Sequence, residues 1–458
     1  MDERTTSRTE KSKGGPQSGR LSVLSHLFCP LILLPLLLMP RLAAAQTPLE
    51  KTFTLDDAIR LAQLNDANLL SARQGEIVAE ERVKEAECLF LPEIGLQATA
   101  THYDARYPFA PTGNDIILFP NQFLNQPGIV GIPTGNIYSG YGYLTMSLYE
   151  GGRTLNTLRM AEAAEKQAFN NEESVKMRVI LKAKKVFYRL LLAQETSAAW
   201  KDYAERAHQL ASADRNASWK VLEARADAEY ARAQASSTEH ELDLARLTFL
   251  KTLNLEMDTS FAVKGALETK PVSIDIERAV LWALELRPEL QAQTYQAQMD
   301  AISVNLALAR RSPTVFVAAD YGVTGFDFPL QMNNWDTTLG VRIPLTYDYW
   351  SQIKEKQAEQ RQGEIQRSAL QDKVRAEVRT AYENLQYWQK EYPVRKDEYQ
   401  NYQELYARLE TNSPRDVPDR IEALKNLTEM RISYLDAVTG HILAKAQLER
   451  AVGRAITQ

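Results

Sequence analysis

The sequence predicts a mainly helical chain with a membrane β portion, built as two tandem repeats. Three observations predict this class. Residues 153–264 contain neither Gly nor Pro, in a chain that holds 20 Gly and 19 Pro, so a long uninterrupted helical stretch is expected. Two short segments of alternating polarity precede it. The whole pattern then recurs, with Pro92 matched by Pro313 at a displacement of 221 residues, which indicates a duplication.

The N-terminal residues 1–45 predict a signal peptide. A polar, basic leader precedes an apolar run at residues 27–39, and the three alanines before Gln46 have the A-x-A pattern of a cleavage site. A membrane-spanning helix is the alternative, but the run is short and contains prolines. After removal of the signal, Cys88 is the remaining cysteine. The exported chain is therefore expected to contain no intramolecular disulfide.

Repeat one is predicted over residues 46–270. A single amphipathic helix begins after the N-cap Thr54. Alternating apolar residues then predict strands at about 93–103 and 141–148. Residues 107–138, between the strands, are rich in Pro, Gly and Asn and predict a surface loop.

The first helical hairpin is predicted over residues 151–255. Small or apolar residues recur at alternating intervals of three and four in both arms, the pattern of a coiled-coil seam. The first arm, residues 153–211, would be roughly 90 Å long at 1.5 Å per residue, so it must pack sideways instead of inside a compact body. A fibrous or signalling coiled coil is the alternative, which the flanking strands disfavour. The seam comprises Val186, Leu190, Ala193, Ser197, Trp200, Ala204, Ala207 and Ala211, and then Val221, Ala224, Ala228, Ala231, Ala235, Thr238, Leu242, Ala245, Phe249 and Thr252.

Repeat two is predicted over residues 271–458. An amphipathic helix is followed by strands at about 314–322 and 338–345. A second helical hairpin is predicted at about 351–453, with its tip near residues 412–418.

The four strands have the length that crosses a bilayer as tilted β-strands, roughly eight to eleven residues. Because open sheet edges are not tolerated in lipid and four strands cannot close, the barrel must be shared between chains. A small soluble sheet with one wet face is the alternative. Aromatic residues around the second and fourth strands predict interfacial girdles, with half-buried packing as the alternative; they are Tyr138, Tyr141, Tyr143, Tyr149, Tyr347, Tyr349 and Trp350.

Three motifs resemble those of the TolC family of outer-membrane efflux proteins. They are LDDAIRLA at residues 55–62, LYEGGR at 148–153 and LRPEL at 286–290, and their order and spacing extend the resemblance over essentially the whole mature chain. The resemblance implies a homotrimer with a twelve-stranded outer-membrane β-barrel and a long periplasmic α-barrel. It also implies a passive exit channel of a tripartite efflux or secretion system. Its partners would be a periplasmic adaptor, an inner-membrane transporter and outer-membrane lipid.

Two segments depart from the family pattern. Residues 346–350 read TYDYW where the family commonly has a Gly-Gly turn, and the second hairpin tip contains Pro414 and Pro418 where the family usually places glycine. The second departure affects the expected mode of adaptor docking, not the fold.

Two groups of residues are candidate sites under this resemblance. Asp419 and Glu422 match acids that line the periplasmic mouth in the family. Residues spaced i and i+3 share a helix face, so three copies would place up to six carboxylates around an aperture. The alternative is that acids just after Pro418 only complement the helix dipole. The hairpin tips, expected to contact the adaptor, carry Asn216, Ser218, Asn412 and Ser413.

Composition excludes several other classes of function. The balance of 54 basic and 59 acidic residues gives no signal for binding nucleic acid. The five histidines are not spaced with Cys, Asp or Glu as in a metal site or catalytic triad, and no glycine loop suits a phosphate. We therefore predict no enzymatic activity, catalytic residue, metal or cofactor. A periplasmic adaptor, or a coiled-coil scaffold without a pore, is the alternative function; two strand pairs alternating with two hairpins disfavour both.

Overall fold

The computed structural model describes residues 51–103, 135–213, 219–412 and 417–456. In chain order the elements are β1 (Lys51–Phe53), α1 (Leu55–Asn65), α2 (Ala67–Cys88), β2 (Glu93–Tyr103), β3 (Gly135–Tyr149), α3 (Arg153–Ala213), α4 (Trp219–Leu253), β4 (Phe261–Val263), α5 (Ile276–Leu286), α6 (Pro288–Ala309), β5 (Thr314–Gly325), β6 (Met332–Arg342), α7 (Tyr349–Asn412) and α8 (Val417–Val452). None of these helices combines the length and the apolar composition that a membrane-spanning helix requires.

Some predictions fall outside the described residues. These are the signal peptide at residues 1–45, most of the loop at 107–138, and the tip residues Asn216, Ser218 and Ser413.

Both halves of the described chain contain the same elements in the same order. Leu55 of α1 corresponds to Ile276 of α5, and Ala67 of α2 to Pro288 of α6, each at a displacement of 221 residues. The paired helices also have equal lengths of 11 and 22 residues. After the strands the displacement shortens, because the connection between β5 and β6 is much shorter than that between β2 and β3.

The single amphipathic helix predicted to open each repeat is wrong, since two helices occupy that segment in both repeats. The breaks lie at Asp66 and Arg287, whose backbones are extended. At the first break, Asp66 is also the N-cap of α2. Its carboxylate accepts hydrogen bonds from the backbone N–H groups of Asn68 (2.9 Å) and Leu69 (3.2 Å). These bonds satisfy amides that the first turn of a helix leaves unpaired, so the new helix is stabilised by its own N-cap.

The four long strands form one antiparallel sheet in the order β2-β3-β5-β6. The predicted position of the first strand agrees with β2. β3 begins at residue 135, not 141, and β6 spans 332–342, not 338–345. Both strands begin earlier than predicted, where Gly or Asn residues interrupt the apolar alternation, because these residues signal a loop although their backbone groups pair normally in the ladder. β6 ends before Pro344, which has no backbone N–H to donate to a ladder. A second, two-stranded parallel sheet joins β1 to β4 and was not predicted.

The two hairpins carry most of the helical residues. α3 has 61 residues and α7 has 64, so each spans roughly 90 Å or more. The predicted seam of the first hairpin is buried along most of its length, and Ala207 and Ala231 are fully enclosed. Ala193, Ala204 and Ala245 are half-buried. Small seam residues therefore let α3 and α4 approach closely, as in a coiled coil.

Three apolar cores lie along the length of the molecule. One packs α1 and β1 on the upper part of the first hairpin, meaning the part nearer the sheet, around Phe187 and Phe249. Another packs α5 on the upper part of the second hairpin, around Val378 and Leu448. The third core joins the lower parts of both hairpins, meaning the parts nearer the tips, around Tyr203. Residues 264–275, the strap, cross from the first core to the second between β4 and α5.

The helices next to the sheet repeat the order of its strands. α2 leads into β2, β3 leads into α3, α6 leads into β5, and β6 leads into α7. Contacts between neighbouring helices give the order α2-α3-α6-α7, the same as the strand order. The sheet thus continues into a helical layer with two open edges, one formed by β2 and α2 and the other by β6 and α7.

Candidate functional site: a two-faced sheet with open edges, and the hairpin tips

The four-stranded sheet has one apolar face. Residues directly paired in an antiparallel ladder share a face, and successive residues alternate between faces. The ladder places a continuous apolar set on one side. Its members on the edge strands β2 and β6 are strongly exposed in the isolated chain, with Leu96 at 91% and Leu339 at 70%, and those on the central strands are half-buried. An apolar surface of this extent marks contact with another apolar medium or surface. The set includes Ile94, Leu96, Ala98, Leu144, Val317, Ala319, Leu339 and Val341.

The opposite face of the sheet is polar. Thr99 and Ser139 hydrogen-bond across β2 and β3 at 2.5 Å, and Asp320 pairs directly with Asp336 across β5 and β6. This face suits contact with water. Its polar residues include Glu93, Gln97, Thr99, Ser139, Asp320, Asp336 and Arg342.

Two aromatic rings of the polar face lie over glycines of the neighbouring strand. A Cβ atom on Gly95 would lie 2.4 Å from the Tyr143 ring, and one on Gly340 would lie 2.4 Å from the Phe316 ring. The Tyr143 hydroxyl also donates to Glu93 at 3.2 Å. The ladder places Tyr141 and Tyr143 on the polar face, so these two residues do not lie on the same face as the exposed apolar set, and the girdle remains a prediction. The sequence prediction grouped the aromatic residues by their position along the chain and did not assign each one to a face of the sheet.

Both open edges expose apolar side chains on their helices. On the first edge, α2 exposes Leu70, Ile77 and Val78. On the second edge, Ile365 of α7 is 70% exposed. It belongs to a stripe of exposed small or apolar residues at intervals of seven, four and seven, the spacing of a coiled-coil seam without a partner; the stripe is Ala358, Ile365, Ala369 and Ala376.

The predicted aperture residues lie at the start of α8. Asp419 and Glu422 are both exposed. Asp419 falls in the first turn of the helix, which begins at Val417. Between them, Arg420 lies 3.7 Å from Glu410 of α7 and connects the two arms. This geometry fits both hypotheses, namely that the two acids line a periplasmic aperture and that they only complement the dipole of α8.

The hairpin tips carry features that the sequence interpretation missed. Asn412 ends α7, and the other predicted tip residues lie outside the described ranges. At the start of α4, Trp219 is 70% exposed and Leu222 is 63% exposed. An exposed tryptophan three residues from an exposed leucine gives the first tip an apolar surface on one helix face.

A buried ion cluster at the start of α6 was also missed. Arg287, whose side chain is 4% exposed, donates to Glu289 at 3.2 and 3.3 Å and to Glu377 of α7 at 2.7 Å. Arg450 of α8 donates to Glu289 at 3.1 Å. Burial alone would raise the pKa of Glu289, but the hydrogen bonds and charge of Arg287, with the charge of Arg450, outweigh it and lower that pKa. The cluster joins the α5–α6 junction to both arms of the second hairpin.

In the described part of the chain, no group of three or more His, Cys, Asp or Glu side chains is suited to hold a metal ion.

The architecture is that of outer-membrane channel proteins. Three solved structures match it closely: the Campylobacter jejuni CmeC outer membrane channel (15% identity, TM-score 0.73, 88% of this chain and 86% of that chain), the Vibrio cholerae outer membrane protein VceC (14%, 0.70, 88% and 97%) and the open state of the Neisseria gonorrhoeae MtrE outer membrane channel (14%, 0.69, 88% and 89%). No family model and no curated relative matches the sequence. At this identity the comparisons establish the fold, and the resemblance inferred from the motifs is confirmed at that level.

Proposed function

We propose that the protein is an outer-membrane channel that passively conducts substrate from the periplasm to the exterior. The observation that carries the proposal is the two-faced sheet with two open edges, continued by a helical layer in the same order. Turned outward, the apolar face contacts lipid. Turned inward, the polar face lines a water-filled lumen.

Closure requires further copies of the chain. In lipid, the unpaired backbone groups at the outer edges of β2 and β6 must find partners. Because one edge offers β2 and α2 and the other offers β6 and α7, the second edge of one copy can pair with the first edge of the next. Three copies of a four-stranded sheet give twelve strands, and a head-to-tail ring of this kind leaves no edge. The trimer is the arrangement that the family resemblance implies.

Depth along the helices supports pairing of α2 with α7 of a neighbouring copy. Leu70 lies 18 residues before the end of α2 at Cys88, and Ile365 lies 16 residues after the start of α7 at Tyr349. At 1.5 Å per residue these positions are about 27 and about 24 Å from the ends of their helices that lie next to the sheet. Exposed apolar side chains on the two edges would therefore meet at the same level.

The hairpin tips are the proposed contact surface for a periplasmic adaptor that links the channel to an inner-membrane transporter. Trp219 and Leu222 give the first tip an apolar anchor of the kind found at protein interfaces. The predicted contact residues Asn216, Ser218, Asn412 and Ser413 belong to the same proposal. An adaptor role for this chain itself is disfavoured, because two strand pairs alternate with two hairpins.

Electrical recording tests the proposed function directly. Purified from outer membranes and added to planar lipid bilayers, the protein should produce discrete conductance steps. A protein that stays in the soluble fraction and never conducts would contradict a channel.

The aperture proposal predicts a change in ion selectivity. Replacing Asp419 and Glu422 with Ala should raise anion permeability and weaken block by multivalent cations, because a ring of carboxylates attracts cations. Glu256→Ala with Asp258→Ala is the matched control, since these acids are exposed in the connection between α4 and β4. Unchanged selectivity together with a destabilised second hairpin would instead support the helix-dipole reading.

A further inference from the structure

The strap is pinned to both arms of the second hairpin. From α7, the side-chain oxygen of Gln389 accepts a hydrogen bond from the backbone N–H of Val272 at 3.1 Å. From α8, Nδ1 of His441 lies 2.5 Å from Oγ1 of Thr269. Val272 is itself buried in the core of that hairpin. Both contacts lie at the same position along the second hairpin, one on each of its arms.

His441 is fully buried at this level. Its second nitrogen, Nε2, is buried without a hydrogen-bond partner among the described residues. A neutral imidazole that donates from Nδ1 to Thr269 leaves Nε2 as an unpaired acceptor. Protonation would place an unpaired N–H and a positive charge in the same enclosed space, which costs much more free energy.

Among the described residues, the groups that the structure places around the imidazole do not offset a positive charge. α7 contributes the ring of Tyr392, 5.2 Å from that of His441, and the strap contributes the neutral hydroxyl of Thr269, whose neighbours Glu268 and Lys270 are exposed. On its own helix, Lys445 opposes protonation. Burial and the charge of Lys445 together lower the pKa of His441 from its ordinary value of 6.5.

A weak point in the second hairpin lies beside this contact. Pro393 is inside α7 and directly follows Tyr392. Proline has no N–H, so the carbonyl of Gln389 loses its helical partner and α7 can bend there at lower cost. In α7, Trp388 packs against the core of the second hairpin nearer the sheet, and Tyr406 packs in the core nearer the tips. Pro393 lies between these two separately packed parts of the helix.

We propose that Thr269 and His441 form an acid-sensitive latch, in which protonation of the imidazole detaches the strap from the second hairpin and allows that hairpin to flex at Pro393. Above pH 6.5 the imidazole is neutral whether the latch is open or closed, and the latch contributes its full stability. As the pH falls below 6.5 the open state takes up a proton that the closed state resists, so this stability is lost as the pH falls through the lowered pKa. The latch is separate from the channel proposal, because it concerns only contacts within one chain.

Hydrogen–deuterium exchange of the purified protein tests the latch without any measurement of transport. With rates corrected for intrinsic chemical exchange, residues 264–275 and 389–397 should exchange about tenfold faster for each pH unit below 6.5, while the closed state remains neutral. His441→Phe keeps a buried ring but cannot titrate, and it should abolish this response. His208→Gln, at an exposed histidine of α3, should keep the wild-type response.

A second variant tests the latch if His441→Phe does not fold. Thr269→Val retains the side-chain volume and removes the hydroxyl, so the strap should exchange faster already at pH 7.5. Wild-type strap protection in Thr269→Val at pH 7.5 would overturn the proposal. So would equal corrected exchange at pH 7.5 and 5.5 in the wild-type protein, or an unchanged pH response in His441→Phe.

Discussion

Replacing Arg287 with Met should destabilise the protein by about 3 kcal/mol. The substitution leaves Glu289 and Glu377 partly buried without the guanidinium that bridges them, and breaking a buried ion pair typically costs roughly 3–5 kcal/mol. We place the effect at the low end because both carboxylates are partly exposed and Arg450 still neutralises part of their charge. Chemical denaturation followed by circular dichroism measures the loss.

An exposed arginine provides the matched control. Arg375 binds Asp372 on the surface of α7 at 2.6 Å, and Arg375→Met should cost less than about 1 kcal/mol. The effect at Arg287 should also depend on pH. Because the pKa of Glu289 is below its ordinary value of 4.5, the stability it contributes is present above pH 4.5 and is lost as the pH falls through the lowered pKa. Equal effects of the two variants at pH 7 would show that the cluster contributes no more than a surface pair.

Replacing Ala98 with Arg should destabilise the membrane-inserted protein by about 2–4 kcal/mol per chain. Ala98 is the middle residue of β2 and lies on the apolar face. If that face contacts lipid, a charged side chain there meets the bilayer near its midplane, where this is the typical cost. Urea titration of protein folded into lipid vesicles measures the change.

The neighbouring residue tests the assignment of the two faces. Gln97 points to the polar face, so Gln97→Arg should change stability much less than Ala98→Arg and should instead alter conductance. The reverse ranking would mean that the polar face contacts lipid, and would contradict the proposed barrel.

Periodicity made much of the fold predictable from the sequence. The seam through Ala207 and Ala231 is visible because helical packing repeats small residues at regular intervals, and the tandem elements are visible because Pro92 recurs at Pro313. Strand ends were less predictable, since Asn333 and Asn334 pair in the β6 ladder although their side chains are typical of loops.

Interactions between distant segments were not predictable in the same way. Arg287 was noted as part of a motif, but its partner Glu377 lies 90 residues away, and the contact between Glu289 and Arg450 spans 161 residues. The hydrogen bond between Thr269 and His441 spans 172 residues. A local pattern identifies such residues without showing what they contact. The face of the sheet on which each aromatic residue lies likewise became clear only with the strand register.

Cysteine cross-linking between the two open edges tests the central claim most directly. In a Cys88→Ser background, Leu70→Cys on α2 and Ile365→Cys on α7 should form a disulfide between neighbouring copies, because the proposed ring brings these exposed positions to the same depth. Each single-cysteine variant is the control and should not form the ladder. After oxidation of outer membranes, we expect covalent species of two and three chains and none larger. Single chains alone, or a ladder that extends beyond three, would contradict closure by three copies.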